Sequence, residues 1–262
     1  MSSRLLGLLG GMSWVSSAQL YTQINQGVAA RRGGLHSAAL LLHSVDFAPL
    51  AVAQAAGDWA AIARQLGEAG AGLRRAGAQA LLLATNTMHA VADEIEQRAE
   101  LPLLHLVDIT AAALRQHGVR SVGLLGTRFT MELPFYAERL ARHGIALRVP
   151  DDAGRAAVHR CIYEELCQDR VTPAATALLR EQVQALAAAG AQAVVLGCTE
   201  LSLALPASAP VALPLFDSTA LQAAAAVDWL CGVAPTHHPT ERSAAAGAIA
   251  QSTPCLTNRP LT

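Results

Sequence analysis

Two short segments of the chain recur in the same order and at nearly the same spacing. The sequence Gly-Leu-Leu-Gly at residues 7–10 recurs 116 residues later, at 123–126, and Ala-Gly-Ala-Gln-Ala at 76–80 recurs 113 residues later, at 189–193. Chance matches in an alanine-rich chain would rarely agree in both order and spacing. We therefore expect two similar halves of roughly 110 residues, a period much longer than the about 20–50 residues of solenoid repeats.

Each half alternates short apolar runs, which predict strands, with stretches of helical periodicity. Strands are predicted at residues 5–9, 39–45, 80–84, 122–125, 145–149 and 193–196. Helices are predicted at residues 16–31, 59–76, 91–99, 133–143, 172–189 and 220–230. Because strands that alternate with helices form parallel sheets covered on both faces, the pattern predicts an α/β fold.

The repeat divides this α/β chain into two pseudo-symmetric domains, each a mainly parallel sheet with helices on both faces. We expect the first domain to span residues 1–116, completed by a C-terminal helix within 217–232, and the second to span 117–216. The polar segment 233–262 is expected to be disordered. Ligands of parallel sheets bind beyond the carboxyl ends of the strands, so we expect the active site in the cleft between the domains.

The composition raises the question of a membrane protein, because 52 % of the residues are hydrophobic, 15 % are charged and the mean hydropathy is +0.32. The most apolar stretches, 182–199 and 201–216, are interrupted by glutamine, glycine or proline and do not resemble a spanning helix. Residues 4–10 resemble a short secretory leader, but their recurrence at 120–126 indicates a buried strand instead. We therefore attribute the apolar excess to a buried core and predict no membrane partner.

Charge and cysteine content argue against further classes of partner. A net charge of −1 disfavours nucleic acid or an anionic membrane surface. The five cysteines are an odd number without metal-ligand spacing, so we expect no metal site, no disulfide and a cytoplasmic location. Cys161 and Cys167 are interpreted as buried fillers, and His89 is interpreted as a capping or core residue rather than a ligand. The glycines at 7–11 lack the dinucleotide-binding spacing.

The residues directly after the repeated strands are the candidates for chemistry. Thr85-Asn-Thr87 follows the predicted strand at 80–84, and Cys198-Thr-Glu200 follows its equivalent. With the offset of 113, Thr85 corresponds to Cys198, which would place the two residues on opposite walls of one cleft. That arrangement suits a reaction with a proton donor and a proton acceptor on two faces of one carbon. We also expect Cys198 at a helix N-terminus, where its thiolate form would be favoured.

Six motifs make the chain similar to a known family. They are Leu8-Leu-Gly-Gly-Met-Ser-Trp14, Gly33-Gly-Leu-His-Ser37, Ser44-Val-Asp-Phe47, Thr85-Asn-Thr-Met-His89, Leu124-Leu-Gly-Thr127 and Gly197-Cys-Thr-Glu200. Within residues 4–232 they resemble the aspartate/glutamate racemase family, most closely its broad-specificity amino-acid racemase branch. The resemblance implies a cofactor-independent, usually dimeric enzyme that racemises or epimerises amino acids. The strict aspartate racemases have a cysteine where this chain has Thr85, and the broad-specificity branch carries threonine there.

The resemblance also implies roles for individual residues. Because a threonine hydroxyl is a far weaker acid than a thiol, we predict that the Cys198 thiolate removes the α-proton of one enantiomer and that Thr85 delivers or relays a proton on the other face. By motif position, contacts to the amino-acid substrate would come from Met12, Gln54, Asn86, Thr87, Thr127 and Thr199. Residues 44–54 contain no arginine or lysine, and Arg128 has no assigned place. A homoserine-like or other polar substrate is therefore favoured over aspartate or glutamate, which would require a fixed arginine.

Two alternative functions stay open. Relatives with a single catalytic cysteine include malonate-type decarboxylases, in which one protonation suffices. A non-catalytic amino-acid-binding module would share the same cleft without α-proton transfer. In the favoured reading the partners are a small amino-acid substrate and a second copy of the chain in a homodimer.

Overall fold

The computed structural model describes residues 4–206 and 208–232, so the predicted disordered tail at 233–262 lies outside the described residues. All the strands described are paired in parallel. They are β1 (Leu6–Gly10), β2 (Leu40–Ser44), β3 (Ala80–Leu83), β4 (Ser121–Leu125), β5 (Ala146–Arg148), β6 (Ala193–Leu196) and β7 (Leu215–Asp217). The first sheet has the order β2-β1-β3 and the second the order β5-β4-β6-β7, which confirms the predicted α/β fold.

Helices connect these strands and cover both sheets. They are α1 (Trp14–Arg32), α2 (Phe47–Ala56), α3 (Trp59–Arg75), α4 (Ala92–Ala99), α5 (Leu106–Gln116), α6 (Arg128–Glu132), α7 (Pro134–Arg142), α8 (Asp152–Glu164), α9 (Pro173–Ala188), α10 (Leu201–Ala204) and α11 (Ser218–Leu230). Eight begin after a side chain that accepts a hydrogen bond from a backbone N–H of the first turn. These capping residues are Ser13, Asp46, Asp58, His105, Thr127, Asp151, Thr172 and Asp217.

The two sheets share the order and register of their three matching strands. β1 pairs with β3 so that Gly7 lies opposite Leu81, and β4 pairs with β6 so that Gly123 lies opposite Val194. The repeated glycine allows a helix to pack closely on the central strand. A Cβ atom at Gly7 would lie 3.2 Å from Leu73 of α3, and one at Gly123 would lie 2.8 Å from Leu186 of α9. The sequence repeat is thus a repeat of helix-on-sheet packing.

Helix α11 leaves the second sheet and packs on the first. It follows β7 directly, yet its buried Ala226 and Leu230 belong to the apolar cluster that contains Leu6 and Leu8 of β1. At its end, the Arg4 guanidinium donates a hydrogen bond of 2.7 Å to the Trp229 carbonyl. The chain therefore crosses between the two sheets a second time after the second sheet is complete.

Several elements escaped the sequence prediction. Helices α2, α5 and α6 and strand β7 were not predicted, and α8 was recognised only as an apparent helix around Cys161. Helix α2 is apolar along most of its length, so it shows little contrast between faces, and β7 follows two closely spaced prolines. No helix in the described part of the chain combines the length and apolar character needed to cross a bilayer.

Candidate active site

A cavity of about 140 Å³ lies where the carboxyl ends of the two sheets face each other. Residues that follow β1, β3, β4 and β6 form most of its wall, and α2, α8 with the turn after it, and α11 contribute the rest. A cavity of about 150 Å³ accommodates benzene, so this one suits a small ligand such as a short amino acid. Its position agrees with the rule that ligands of parallel sheets bind beyond the strand ends.

The structure brings all the sequence-predicted site residues to this one cavity. Thr85 lies on the side of the first sheet, directly after β3, and Cys198 lies on the side of the second, directly after β6. The predicted substrate contacts that line it with them are Met12, Gln54, Asn86, Thr87, Thr127 and Thr199. The same two segments are therefore neighbours in space although 113 residues separate them in sequence.

A tight turn after β1 positions the start of α1 at the cavity. Gly11 has φ +95°, and a Cβ atom there would lie 2.1 Å from the Val45 carbonyl oxygen, so only glycine fits. The Ser17 hydroxyl accepts a hydrogen bond of 2.9 Å from the Gly11 N–H and donates one of 2.8 Å to the Ser13 carbonyl. These bonds hold Met12 at the cavity wall.

Buried His89 holds the Thr85 segment from behind. Its Nδ1–H donates 2.8 Å to the Thr85 carbonyl, and its Nε2 accepts 3.2 Å from the Leu106 N–H at the start of α5. Burial lowers the pKa of His89 to about 4, so the ring is neutral at ordinary pH. The interpretation of His89 as a core residue is confirmed by these contacts. No described side chain is hydrogen-bonded to the Thr85 hydroxyl.

Cys198 has an environment that contradicts the expected thiolate. Its Sγ donates a hydrogen bond of 2.9 Å to Oε2 of Glu200. Burial and the Glu200 carboxylate raise the pKa of the Cys198 thiol well above its usual range. The expected helix is α10, which begins only at Leu201 and has four residues, too short to offset these effects. The prediction of a favoured thiolate was therefore wrong, and the resting group is a thiol.

Hydroxyl groups fix the Glu200 carboxylate in place. The Thr199 hydroxyl donates 2.6 Å to Glu200 Oε2, and the Ser16 hydroxyl lies 2.6 Å from Thr199 Oγ1 and 3.4 Å from Glu200 Oε1. Ser16 lies on α1, which follows β1 of the first sheet, and Thr199 follows β6 of the second. The hydrogen bonds around Glu200 therefore connect the two halves of the molecule. Sequence reasoning aligned Glu200 with Thr87 but assigned it no role, although a carboxylate two residues after the cysteine was visible.

Other cavity residues were also missed. Tyr163 at the end of α8, Cys167 in the short turn Leu166–Gln168, and Thr130 line the cavity. The interpretation of Cys161 as a buried filler is confirmed, but the same interpretation of Cys167 was wrong, because Cys167 is exposed. No local pattern could reveal these residues, because α8 reaches the cavity only through tertiary packing.

The cavity wall carries little positive charge. Among the residues described, its lining includes no arginine, lysine or histidine, and Glu200 is its one carboxylate. Arg128, the basic residue without an assigned place, is exposed and paired with Glu132 rather than turned into the cavity. Within the described residues no cluster of histidine, cysteine or acidic side chains has the arrangement of a metal site.

Fold and site together define a class of protein with two similar parallel sheets whose strand ends enclose a small cavity, with a cysteine on one side and a threonine on the other. A family model for Asp/Glu/hydantoin racemases matches residues 9–226, and the chain belongs to this family.

Solved structures with the same two-domain architecture support this assignment. A candidate Asp/Glu racemase from Yersinia pestis is 47 % identical, with a TM-score of 0.83 over 87 % of this chain and 99 % of that one. An aspartate racemase homologue from Pyrococcus horikoshii OT3 is 27 % identical, with a TM-score of 0.76 over the same shares of both chains. An uncharacterised protein in the pnlA 3′ region of Pectobacterium carotovorum subsp. carotovorum is 31 % identical over 113 residues, which are 43 % of this chain and 74 % of that protein.

Proposed function

We propose that the protein is a cofactor-independent racemase or epimerase of amino acids that works by α-proton transfer on two faces of the substrate. The observation that carries the proposal is the placement of Thr85 and Cys198 at equivalent strand ends, both lining one cavity. Membership in the Asp/Glu/hydantoin racemase family supports an isomerase. The fine assignment to the broad-specificity branch rests on Thr85 in place of a second cysteine.

The chemistry requires stabilisation of a carbanion without an electron sink. The chain contains no lysine, so none of its residues can form the Schiff base through which pyridoxal phosphate acts. Hydrogen-bond donors aimed at the substrate carboxylate would take this role instead. Asn86, Thr87 and Thr199, with backbone N–H groups after β3 and β6, are placed to supply them.

The two faces of the site are chemically unequal. Cys198 can give a thiolate, whereas a threonine hydroxyl is a far weaker acid that needs an adjacent base. The Thr85 hydroxyl has no such neighbour among the described side chains. We therefore propose that Cys198 removes the α-proton and that Thr85 delivers or relays one, with different turnover for the two enantiomers.

A neutral polar substrate fits the cavity better than a dicarboxylic one. A side-chain carboxylate would enter beside Glu200 and find no described cationic side chain in the wall. A hydroxyl such as that of homoserine could instead bond to Gln54 or to the threonines that line the cavity. The comparison of kcat/KM for homoserine, aspartate and glutamate tests this choice, and a preference for the acidic substrates would contradict it.

The test of the function is α-proton exchange in D₂O, followed by NMR over a panel of L- and D-amino acids. Loss of the α-proton signal together with appearance of the opposite enantiomer supports the proposal. Release of CO₂ from a disubstituted malonate, without exchange on any amino acid, would identify a decarboxylase. Binding of amino acids without exchange would identify a binding module.

Variants of the two catalytic candidates make this test specific. Cys198→Ala should abolish exchange from both enantiomers, and racemisation at the wild-type rate would rule out its role. Thr85→Ala should slow exchange, followed separately from each enantiomer. Cys231→Ala, at the end of α11 and outside the cavity, is the matched control and should leave exchange unchanged.

We also propose that the protein acts as a homodimer in the cytoplasm. Trp14 on α1, Leu42 on the edge strand β2 and Val52 on α2 are 73 %, 43 % and 71 % exposed, and we propose that a second copy covers such apolar side chains. The four cysteines described are free, which suits a reducing compartment. Light scattering on a Leu42→Arg variant tests the dimer, since a wild-type monomer or an unchanged dimer would contradict this surface.

A further inference from the structure

Cys198 and Glu200 form a pair that shares one proton in the resting structure. The Sγ–Oε2 distance is 2.9 Å, and the thiol is the donor because the carboxylate can only accept. Thr199 and Ser16 hold both carboxylate oxygens toward this contact. A thiol held in this way cannot act as a base until its own proton has left.

Glu200 is the nearest acceptor for that proton. The other titratable groups that face Cys198 are Tyr163 at the end of α8 and Cys167 in the following turn, and both have raised pKa values. Burial is the largest cause for each, and neither group would accept a proton in its neutral form. No described cationic side chain lines the cavity to stabilise a thiolate in another way.

The first half of the site has no counterpart to this pair. The repeat aligns Glu200 with Thr87, whose hydroxyl lies 3.2 Å from that of Thr130 and carries no charge at ordinary pH. Thr85 therefore lacks the neighbouring base that Cys198 has. The asymmetry between the two walls extends from the catalytic candidates to their immediate partners.

We propose that Glu200 is a positioning residue that holds the Cys198 thiol and accepts its proton when Cys198 becomes the base, an inference that rests on the proposed racemase function. First the S–H bond breaks and an O–H bond forms on Glu200, which leaves a thiolate beside a neutral carboxyl. The substrate Cα–H bond then breaks, its proton moves to sulfur, and the electron pair stays on carbon. Water supplies a proton to the opposite face at Thr85, and Glu200 releases its proton to water.

The experiment compares Cys198 alkylation by iodoacetamide, across pH and mapped by peptide mass spectrometry, with α-proton exchange in Glu200→Gln. Loss of the negative neighbour should lower the Cys198 pKa, so alkylation at pH 8 should rise about tenfold or more. α-Proton exchange should nevertheless fall about tenfold or more, because the Cys198 sulfur is no longer held in position by Glu200. Damage to the fold would not raise Cys198 alkylation and lower α-proton exchange while the labelling of Cys161 stays unchanged.

Two further variants complete the test. Glu200→Asp keeps the charge and should keep the thiol slow to alkylate, with exchange partly restored relative to Glu200→Gln. Glu181→Gln on α9 removes an exposed carboxylate outside the cavity and should change neither readout. If Glu200→Gln fails to fold, the alkylation profile of Glu200→Asp decides: a thiol that becomes fast to alkylate although the charge is kept would overturn the pair.

The outcomes separate this inference from the proposed function. An unchanged alkylation profile in Glu200→Gln, or exchange at the wild-type rate, would overturn the role of Glu200 even in an active racemase. A shifted alkylation profile in a protein that exchanges no amino acid would support the proton-sharing pair and reject the racemase function.

Discussion

Ser16 lies on α1 after the first strand of one sheet and Thr199 lies after β6 of the other, and their hydroxyl oxygens lie 2.6 Å apart at the wall of the cavity. Ser16 lies in the first turn of α1, and Thr199 follows β6 and binds the Glu200 carboxylate. This one hydrogen bond therefore connects the relative position of the two sheets to the carboxylate that contacts Cys198.

Ser16→Ala should affect activity through this bond. Loss of one buried hydrogen bond is expected to cost about 1 kcal/mol in the free energy of unfolding and to lower kcat/KM severalfold, because the Glu200 carboxylate loses support. Urea unfolding and α-proton exchange measure the two effects. Thr22→Ala on the same helix removes a hydroxyl that bonds only within α1, and it should leave exchange unchanged. Equal effects of the two variants on exchange would contradict the link.

Gly123→Ala and Gly72→Ala should change stability in opposite directions. The new Cβ at position 123 would lie 2.8 Å from Cδ1 and 3.2 Å from Cβ of Leu186, so we expect overpacking to destabilise the fold by about 1–3 kcal/mol. At position 72, inside α3, the nearest atom outside the helix backbone lies 3.8 Å away, so the better helix propensity of alanine should stabilise by about 0.5–1 kcal/mol. Chemical denaturation of both variants tests the pair, and a neutral Gly123→Ala would show that the helix can shift.

The stability of the fold should fall between pH 6.5 and 4.5. Burial lowers the pKa of His89 to about 4 and that of His105 to about 2, whereas both groups titrate near 6.5 in the unfolded chain. Above pH 6.5 both states bind no proton at these sites, and as the pH falls the unfolded state binds protons that the folded state refuses. Each such proton lowers the free energy of unfolding by up to about 1.4 kcal/mol per pH unit.

His105→Asn should make the free energy of unfolding less dependent on pH, by the contribution of one titrating group. Asparagine can still cap α5 but does not titrate. Urea unfolding at several pH values measures the slope of this dependence. The control is His36→Asn, whose side chain is exposed, and it should leave the slope unchanged. Asp108 does not contribute between pH 6.5 and 4.5. Arg139 and His143 hold its pKa below the usual range despite its burial, so the Asp108 carboxylate stays ionised over this interval. Identical slopes for wild type and His105→Asn would show that His105 is solvated.

Gln54→Leu should weaken binding of polar substrates. Gln54 is buried, lines the cavity, and has no side-chain hydrogen bond to a described residue, so its amide is free to meet a ligand. We expect KM for homoserine to rise about tenfold, the typical effect of one lost polar contact, with a smaller effect on alanine. Gln65→Leu on the exposed face of α3 is the matched control. An unchanged KM would remove Gln54 from the substrate contacts.

The sequence predicted those parts of the molecule that depend on local pattern. Apolar runs that end in glycine revealed the equivalent strands β1 and β4, and the repeat placed Thr85 and Cys198 at matching strand ends. The ionisation of Cys198 could not be read in the same way. It depends on the burial of the thiol and on the orientation of Glu200, which Ser16 helps to fix from 184 residues away.

Long-range packing explains the other missed features. Cys167 reaches the cavity because α8 carries the following turn there, and no periodicity encodes that path. The buried amide of Gln222 donates 2.9 Å to the Leu83 carbonyl at the end of β3, a contact made only because α11 returns to the first sheet. Such contacts between distant segments determine the details of the site but leave no local trace.

Because α11 packs on the first sheet, the order in which the segments follow one another along the chain could be changed by circular permutation. Trp229 and Arg4 are in direct contact, so a short linker from residue 232 to residue 4 could join them, and new ends could be opened at the exposed Gly118 between α5 and β4. In that circular permutant, α11 would directly precede the strands on which it packs. The strands of the first sheet and the helix α11 that packs on them would then lie in one uninterrupted segment, whereas α5 would still reach across to the core of the second sheet.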